Sequence, residues 1–219
     1  MKLLVVSPHP DDETLGAGGT ILKHKQMRDQ VYWLNFTDLK EEYGCPRESV
    51  TNRKAEIESV KKAYGFDGFL NLELKPTGLD EYSTGFLVDR VSRFVHEVQP
   101  NIVILPFRND AHSDHRVVFE SVYSCTKVFR YSSINRILMM EILSETDFAP
   151  SDNGFIPNYF VDISDFLAEK INILKIYQSE IKDHPFPRSE ENVKALATLR
   201  GATAGKTYAE SFFLIKEIE

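Results

Sequence analysis

A histidine and three carboxylates are crowded into six residues near the start of the chain. The run PHPDDE at residues 8–13 follows the apolar residues 3–6 and directly precedes a glycine-rich helix start. Charged groups this close together repel one another and are costly to bury, unless a cation neutralises them or they share protons in catalysis. The run therefore restricts the chain to folds that place a polar site at the end of a buried strand.

Short apolar runs alternate with longer amphipathic runs over the first part of the chain. This pattern is typical of βαβ units and predicts an α/β protein with a mostly parallel sheet. The predicted strands are residues 2–7, 31–37, 69–74 and 102–107, and the predicted helices are residues 12–25, 48–64, 85–98 and 114–128.

The rhythm changes after residue 128, where a C-terminal extension of strands and helices is expected. Strands are predicted at residues 136–142, 159–163 and 211–215, and helices at 165–181 and 190–200. Three polar loops, residues 40–46, 76–83 and 144–158, are candidates for the walls of a pocket. No linker interrupts the chain, so residues 1–219 are expected to form a single domain.

Composition excludes several classes of function. A formal net charge of −7 argues against a nucleic-acid partner or an anionic membrane surface. The two cysteines, Cys45 and Cys125, lack the spacing of a disulfide scaffold or a cysteine zinc site. The N-terminal apolar run is too short for a signal peptide or a membrane span. A cytoplasmic protein is expected.

The glycine cluster at residues 16–19 invites a dinucleotide-binding interpretation. A GxGxxG motif starting at Gly16 requires glycine at position 21, which is Ile21, and the acidic turn before it would repel a pyrophosphate. The glycines are therefore interpreted as allowing close helix packing.

A second polar motif, HSDH at residues 112–115, follows the predicted strand at 102–107. Because carboxyl ends of neighbouring parallel strands meet at one edge of a sheet, the two motifs can converge. Catalytic zinc commonly takes three histidine or carboxylate ligands and leaves a position for water. His9, Asp12 and His115 would supply such a set for one zinc ion per chain, and other divalent metals such as Fe²⁺ stay open.

The remaining motif residues have chemical roles to fill. Asp11 could accept a proton from water activated by the metal and later pass it to a leaving amine. His112, if protonated, could stabilise the oxyanion of a tetrahedral intermediate, with Asp114 holding it charged and oriented.

These paired motifs resemble those of the PIG-L/LmbE family of zinc-dependent N-deacetylases. Further similarity lies in GAGGT at residues 16–20, in Arg53 and Glu56, and in YAESF at residues 208–212. The resemblance implies a Rossmann-like three-layer fold. It also implies removal of an acetyl group from a small N-acetylglucosamine-type substrate, as a sugar, glycoside, conjugate or nucleotide-linked form.

The resemblance assigns the metal ligands to His9, Asp12 and His115, the base to Asp11 and the oxyanion-stabilising role to His112. It also implies that Arg53 contacts the substrate, although an arginine on a helix is equally an ordinary surface residue. Related proteins are often assemblies, so a homo-oligomer stays open.

Five further residues have two interpretations each. Tyr208 could form a wall of the substrate pocket and Glu210 could support the site, but packing around the last strand is the favoured interpretation for both. Asp110 and Asp38 could each orient a metal-bound histidine or simply shape a turn. Glu13 is assigned to support of the ligands or of the helix start.

Three alternative functions are weighed against the deacetylase. One is an amidase that removes a larger acyl group or cleaves a conjugate, and another is a sugar-binding protein that has the fold without the activity. A metal-dependent phosphoesterase commonly uses two metal ions, whereas this sequence offers ligands for one.

Overall fold

A computed structural model describes residues 1–219 and contains one seven-stranded sheet with helices on both faces. The strands are β1 (Lys2–Ser7), β2 (Gln30–Thr37), β3 (Gly68–Leu74), β4 (Ile102–Pro106), β5 (Arg136–Met140), β6 (Tyr159–Asp162) and β7 (Ala209–Glu217). The α-helices are α1 (Asp12–Gln26), α2 (Arg47–Tyr64), α3 (Thr84–Val98), α4 (Ser113–Tyr123), α5 (Leu167–Leu174) and α6 (Glu190–Ala204). The predicted α/β fold is confirmed.

Strand β1 lies at the topological switch point of the sheet, where the strand order reverses. The order is β3-β2-β1-β4-β5-β7-β6, with the first five strands of the chain parallel and β7 antiparallel to both β5 and β6. In open α/β sheets, ligands bind beyond the carboxyl ends of the strands at such a switch point. Residues 8–13 and 107–115 follow the carboxyl ends of β1 and β4.

Strand β1 is apolar on both faces because helices cover both faces of the sheet. Leu3 and Val5 pack in the layer beneath α1, α2, α5 and α6, whereas Leu4 and Val6 pack in the layer beneath α3 and α4. All four side chains are fully buried. The central strand is thereby held rigidly, together with the polar residues that follow it.

The glycines of α1 lie where a side chain would collide with its neighbours. A Cβ atom on Gly16 would lie 2.6 Å from Sδ of Met140, and one on Gly19 would lie 2.6 Å from Cγ2 of Ile163. The interpretation of these glycines as close-packing residues is confirmed.

Replacing Gly19 with alanine is expected to lower the free energy of unfolding by about 1–3 kcal/mol, the usual cost of overpacking. The clash includes the Cβ of Ile163 at 2.8 Å, which cannot move without its backbone. Gly85→Ala in α3 is the matched control, because no atom lies within 4 Å of its added Cβ. Chemical denaturation of both variants measures the difference, and equal stabilities would contradict the packing argument.

Two predicted helices are shorter than their apolar spacing indicated. The helix predicted at residues 165–181 is α5, Leu167–Leu174, and the helix predicted at 114–128 is α4, Ser113–Tyr123. No helix combines the length and the apolar character needed to cross a membrane.

Candidate metal centre

Three side chains from the two motifs meet beyond the carboxyl ends of β1 and β4. Oδ2 of Asp12 lies 3.3 Å from Nδ1 of His9 and 3.3 Å from Nε2 of His115. One nitrogen or oxygen of each residue lies within 4.8 Å of the others. Nε2 of the buried His115 has no hydrogen-bond partner, an arrangement that costs free energy unless another group binds there. A cation fits this donor set.

A carboxylate lies behind each of the two histidines. Asp110 Oδ2 lies 2.8 Å from Nδ1 of His115 and is itself steadied by the hydroxyl of Thr146, which donates to Oδ1 at 2.7 Å. Asp114 Oδ2 lies 3.1 Å from Nε2 of His9. With a proton on each of these two nitrogens, the lone pairs of the opposite ring nitrogens face Asp12, which is how histidine ligands are usually oriented.

The electrostatics of this cluster favour positive charge. Burial lowers the pKa of the His9 imidazole, but hydrogen bonds to Asp114 and Asp12 outweigh it and raise that pKa to about 9. Burial is likewise outweighed at His115, where the carboxylates of Asp12 and Asp110 raise the pKa to about 10. Burial raises the pKa of Asp12, yet His115 and His9 together hold it well below its usual range. The cluster is therefore suited to a cation.

Asp11 occupies the sharp turn between β1 and α1. Its backbone has φ 136°, a value that strains any residue other than glycine. The side chain is buried and its Oδ2 accepts a hydrogen bond from Nη1 of Arg188 at 2.6 Å. Burial raises the pKa of the Asp11 carboxyl, the neighbouring Asp12 raises it further, and Arg188 opposes both effects.

Glu13 supports the turn from behind. Its carboxylate accepts hydrogen bonds from the backbone N–H of Asp11 at 3.1 Å, the hydroxyl of Thr14 at 2.6 Å and the hydroxyl of Tyr177 at 2.9 Å. Burial raises the pKa of Glu13 to about 7. These contacts tie the start of α1 to the chain that follows α5.

The role predicted for Asp114 toward His112 is wrong. Nδ1 of His112 accepts a hydrogen bond from the backbone N–H of Asp114 at 3.0 Å, while the Asp114 carboxylate turns to His9 and to the backbone N–H groups of Thr77 and Leu79. Burial lowers the pKa of His112 to about 4, and His9 lowers it in the same direction. His112 is therefore neutral rather than protonated, with its proton on Nε2.

Arg53 is buried and its guanidinium faces the protein. It donates to the carbonyl of Pro10 at 3.0 Å and to the hydroxyl of Ser179 at 3.0 Å, and it forms ion pairs with Glu180 and Glu56. Its contact with a substrate stays a prediction.

Three other predicted residues lie away from the cluster. Glu210 accepts from the backbone N–H of Gly19 at 2.8 Å and pairs with Lys170 at 2.7 Å, which fixes β7 to the middle of α1. Tyr208 makes hydrogen bonds through its backbone to residues 163–164. Asp38 accepts from Leu39 and Asn71. None of the three forms a hydrogen bond or ion pair with the cluster.

Sequence reasoning missed Arg188, Tyr177 and Thr146. Each reaches the site from a segment that carries no recognised motif. For Arg188 the sequence offers one weak indication, its position directly after the proline-rich run HPFP at residues 184–187.

The fold and the cluster together define an α/β protein with a candidate His/Asp/His metal site at the sheet's switch point. Residues 4–126 match the family model described as PIG-L, GlcNAc-PI de-N-acetylase. The chain belongs to this family, as its motifs predicted.

Relatives agree with this assignment. The diacetylchitobiose deacetylase of Thermococcus kodakarensis is 26% identical over 235 residues, covering 99% of this chain and 84% of the relative. The structure of N,N'-diacetylchitobiose deacetylase from Pyrococcus horikoshii, bound to its inhibitor MPG, matches with TM-score 0.75 and 26% identity, covering 98% of this chain and 84% of that one. The predicted enzyme class, a hydrolase of amide bonds, is confirmed.

The fold is also found in a protein named for a different reaction. GalB, the 4-carboxy-2-hydroxymuconate hydratase from Pseudomonas putida KT2440, matches with TM-score 0.78 at 15% identity, covering 100% of this chain and 97% of that one. At this identity the similarity concerns the fold alone, and a shared fold does not imply a shared reaction.

Proposed function

We propose that the protein is a zinc-dependent N-deacetylase acting on an N-acetylglucosamine-type sugar, glycoside, conjugate or nucleotide-linked sugar. The observation that carries this proposal is the buried, unpartnered Nε2 of His115, which lies beside His9 and Asp12 with a carboxylate behind each histidine. Zinc suits a histidine and carboxylate set, and Fe²⁺ accepts the same ligands. Both cysteines are free thiols, which fits a reducing cytoplasm.

The proposed chemistry is hydrolysis of an amide by water. A zinc ion held by His9, Asp12 and His115 would supply Lewis-acid activation of the water and the carbonyl. Asp11 would remove a proton from the attacking water and deliver it to the nitrogen of the leaving amine. Acetate and a free amine are the products.

His112 would stabilise the oxyanion as a neutral donor. Because its Nδ1 accepts the Asp114 backbone N–H at 3.0 Å, the ring proton lies on Nε2. The ring centre of His112 lies 4.7 Å from that of His9, and this closeness to the candidate metal site supports the role. A donor aimed at a developing oxyanion contributes about 10²–10³-fold to turnover in well-studied enzymes.

The decisive experiment is a screen of N-acetylated sugars, glycosides and nucleotide sugars for release of amine and acetate. We expect release in equal amounts, loss of release on chelation, and recovery when zinc is added back. Zinc-loaded protein that binds a sugar without releasing acetate would support the binding-protein alternative. Faster release of longer acyl groups would support the amidase alternative.

A groove of about 820 Å³ runs between α2 and residues 172–180; none of the metal-cluster residues lines it, and it would hold the part of a larger substrate that lies away from the acetyl group. Arg53 lines this groove and also reaches Pro10, so the groove adjoins the turn that carries Asp11. Its charged side chains are all paired, Glu56 and Glu180 with Arg53 and Lys175 with Glu190. Uncharged hydroxyl and amide groups suit such a surface, and its polar uncharged lining consists of Ser49, Asn52, Ser59, Asn172, Gln178 and Ser179.

The variant Asn52→Ala with Gln178→Ala is expected to raise KM several-fold for N,N'-diacetylchitobiose, since each lost hydrogen bond is worth about 1 kcal/mol. KM for N-acetylglucosamine and both kcat values should stay unchanged. Thr51→Ala is the control, because Thr51 lies on the same helix outside the groove. Equal effects on the disaccharide and the monosaccharide would contradict the role of the groove.

A further inference from the structure

Arg188, in the loop between α5 and α6, is part of a ring of contacts around the proposed base. Its Nη1 donates to Oδ2 of Asp11 at 2.6 Å and to Oε2 of Glu180 at 3.2 Å. The other oxygen of Glu180 binds Arg53, which in turn donates to the carbonyl of Pro10 at 3.0 Å. The chain of contacts thus begins at Asp11 and ends at the carbonyl of Pro10, the residue that precedes it.

These contacts stabilise two unfavourable features of the turn, the strained backbone of Asp11 and the burial of its carboxylate. Asp11 holds a strained backbone at φ 136°, so its side-chain direction is not fixed by ordinary helical or extended geometry. Its carboxylate is only 2% exposed, and a buried charge requires a paired and hydrogen-bonded partner. Arg188 is the one cationic side chain bonded to that carboxylate.

The geometry of Arg188 points to more than general stability. Its Nε is buried without a hydrogen-bond partner, a cost that an ordinary surface ion pair would avoid by leaving this group in water. The guanidinium lies 5.6 Å from the ring centre of Phe186, which limits its freedom to turn. Arg188 therefore keeps its contact with Asp11 although its own Nε–H is left without a hydrogen-bond acceptor.

We propose that Arg188 is a positioning residue for N-deacetylation, resting on the function proposed above. It binds Oδ2 of Asp11 and so leaves Oδ1 directed toward the attacking water. Glu180 and Arg53 hold Arg188 in place and fix the backbone of the turn from the other side. Its role is to orient Asp11, because its hydrogen bonds go to Asp11 and Glu180 and not to the candidate metal ligands.

The first test compares Arg188→Ala with Arg188→Lys in the zinc-loaded protein. For Arg188→Ala we expect unchanged zinc content and a kcat about 10²-fold lower with KM changed less than about threefold, because misplacing a catalytic group by about 1 Å has this effect. Added guanidinium should restore at least a tenth of the lost rate, and Arg188→Lys should retain part of it. A kcat within threefold of wild type, or a change in KM alone, would overturn the proposal.

Arg200→Ala is the matched control. Arg200 also pairs with a carboxylate, Glu141, and its side chain is 19% exposed against 22% for Arg188. Loss of that ion pair should leave kcat unchanged and should show no response to guanidinium. An equal loss of kcat in both variants would show that Arg188 acts through stability alone.

A crystal structure of zinc-loaded Arg188→Ala provides a readout that does not depend on activity. We expect the Asp11 carboxylate to turn away while His9, Asp12 and His115 keep their positions. An unmoved Asp11 overturns the inference even if the variant has lost activity. An inactive wild-type protein overturns the proposed function instead, and the position of Asp11 still decides whether Arg188 orients it.

Discussion

Asp11→Asn is expected to keep its metal and to lower kcat by about 10³-fold, within the range that general-base catalysis contributes. Asparagine has the shape of aspartate and can still accept the hydrogen bond from Arg188, but it cannot take a proton from water. The Asp11 carboxylate is bonded to Arg188 rather than to His9 or His115. Steady-state kinetics and the metal content per chain, measured on the same sample, check both halves of the prediction.

Asp38→Asn is the control for this variant. Asp38 is also a buried aspartate, 5% exposed at the end of β2, and it bonds to Leu39 and Asn71 without touching the cluster. Its replacement should leave kcat within about threefold of wild type, as expected for a position that makes no contact with the reacting groups. Loss of metal in Asp11→Asn equal to that in a ligand variant would show that base and ligand have been exchanged in the assignment.

Strands β1 and β4 were predictable because they are short and apolar on both faces. The strand predicted at residues 2–7 matches β1, Lys2–Ser7, and the prediction for β4 extends only one residue past its end at Pro106. Burial on both faces leaves a continuous apolar run that few other elements produce.

The end of α5 was not predictable from periodicity. Apolar residues continue at helical spacing to Ile176, yet the helix ends at Leu174. Beyond it, Tyr177 donates to Glu13 and the backbone N–H of Gln178 donates to Glu56. The backbone N–H of Gln178 thus bonds to a distant side chain, and the contacts of both residues show tertiary structure overriding the local pattern.

The cluster of ligands was predictable because it follows from two short motifs and from the rule that parallel strands end at one edge. The direction of the Asp114 carboxylate was not. His112 caps α4, and the first turn of that helix points Asp114 toward His9 rather than toward its neighbour in sequence. Arg188 was missed because it is 177 residues from Asp11 and belongs to no motif. Partners of this kind are set by packing alone.

His115→Ala is expected to lose tight zinc binding, and with it all zinc-dependent turnover. His115 contributes the buried, unpartnered Nε2, and the carboxylates nearest to the two histidines, Asp110 and Asp114, are already held by hydrogen bonds. Asp110→Asn should give a graded effect, with zinc affinity lower by about 10–100-fold, since it removes the carboxylate that orients His115. Equilibrium titration with zinc and a competing chelator measures both affinities.

His96→Ala is the control for these two variants. His96 lies on α3 beside Tyr131, with ring centres 4.9 Å apart, and makes no contact with the cluster. It should bind zinc with wild-type affinity. We expect zinc affinity to be weakest in His115→Ala, intermediate in Asp110→Asn and unchanged in His96→Ala. This order follows because His115 would bind the metal directly, whereas Asp110 would contribute only by orienting His115. Wild-type zinc affinity in His115→Ala would place the metal elsewhere, and an Asp110→Asn affinity equal to that of His96→Ala would remove the orienting role from Asp110.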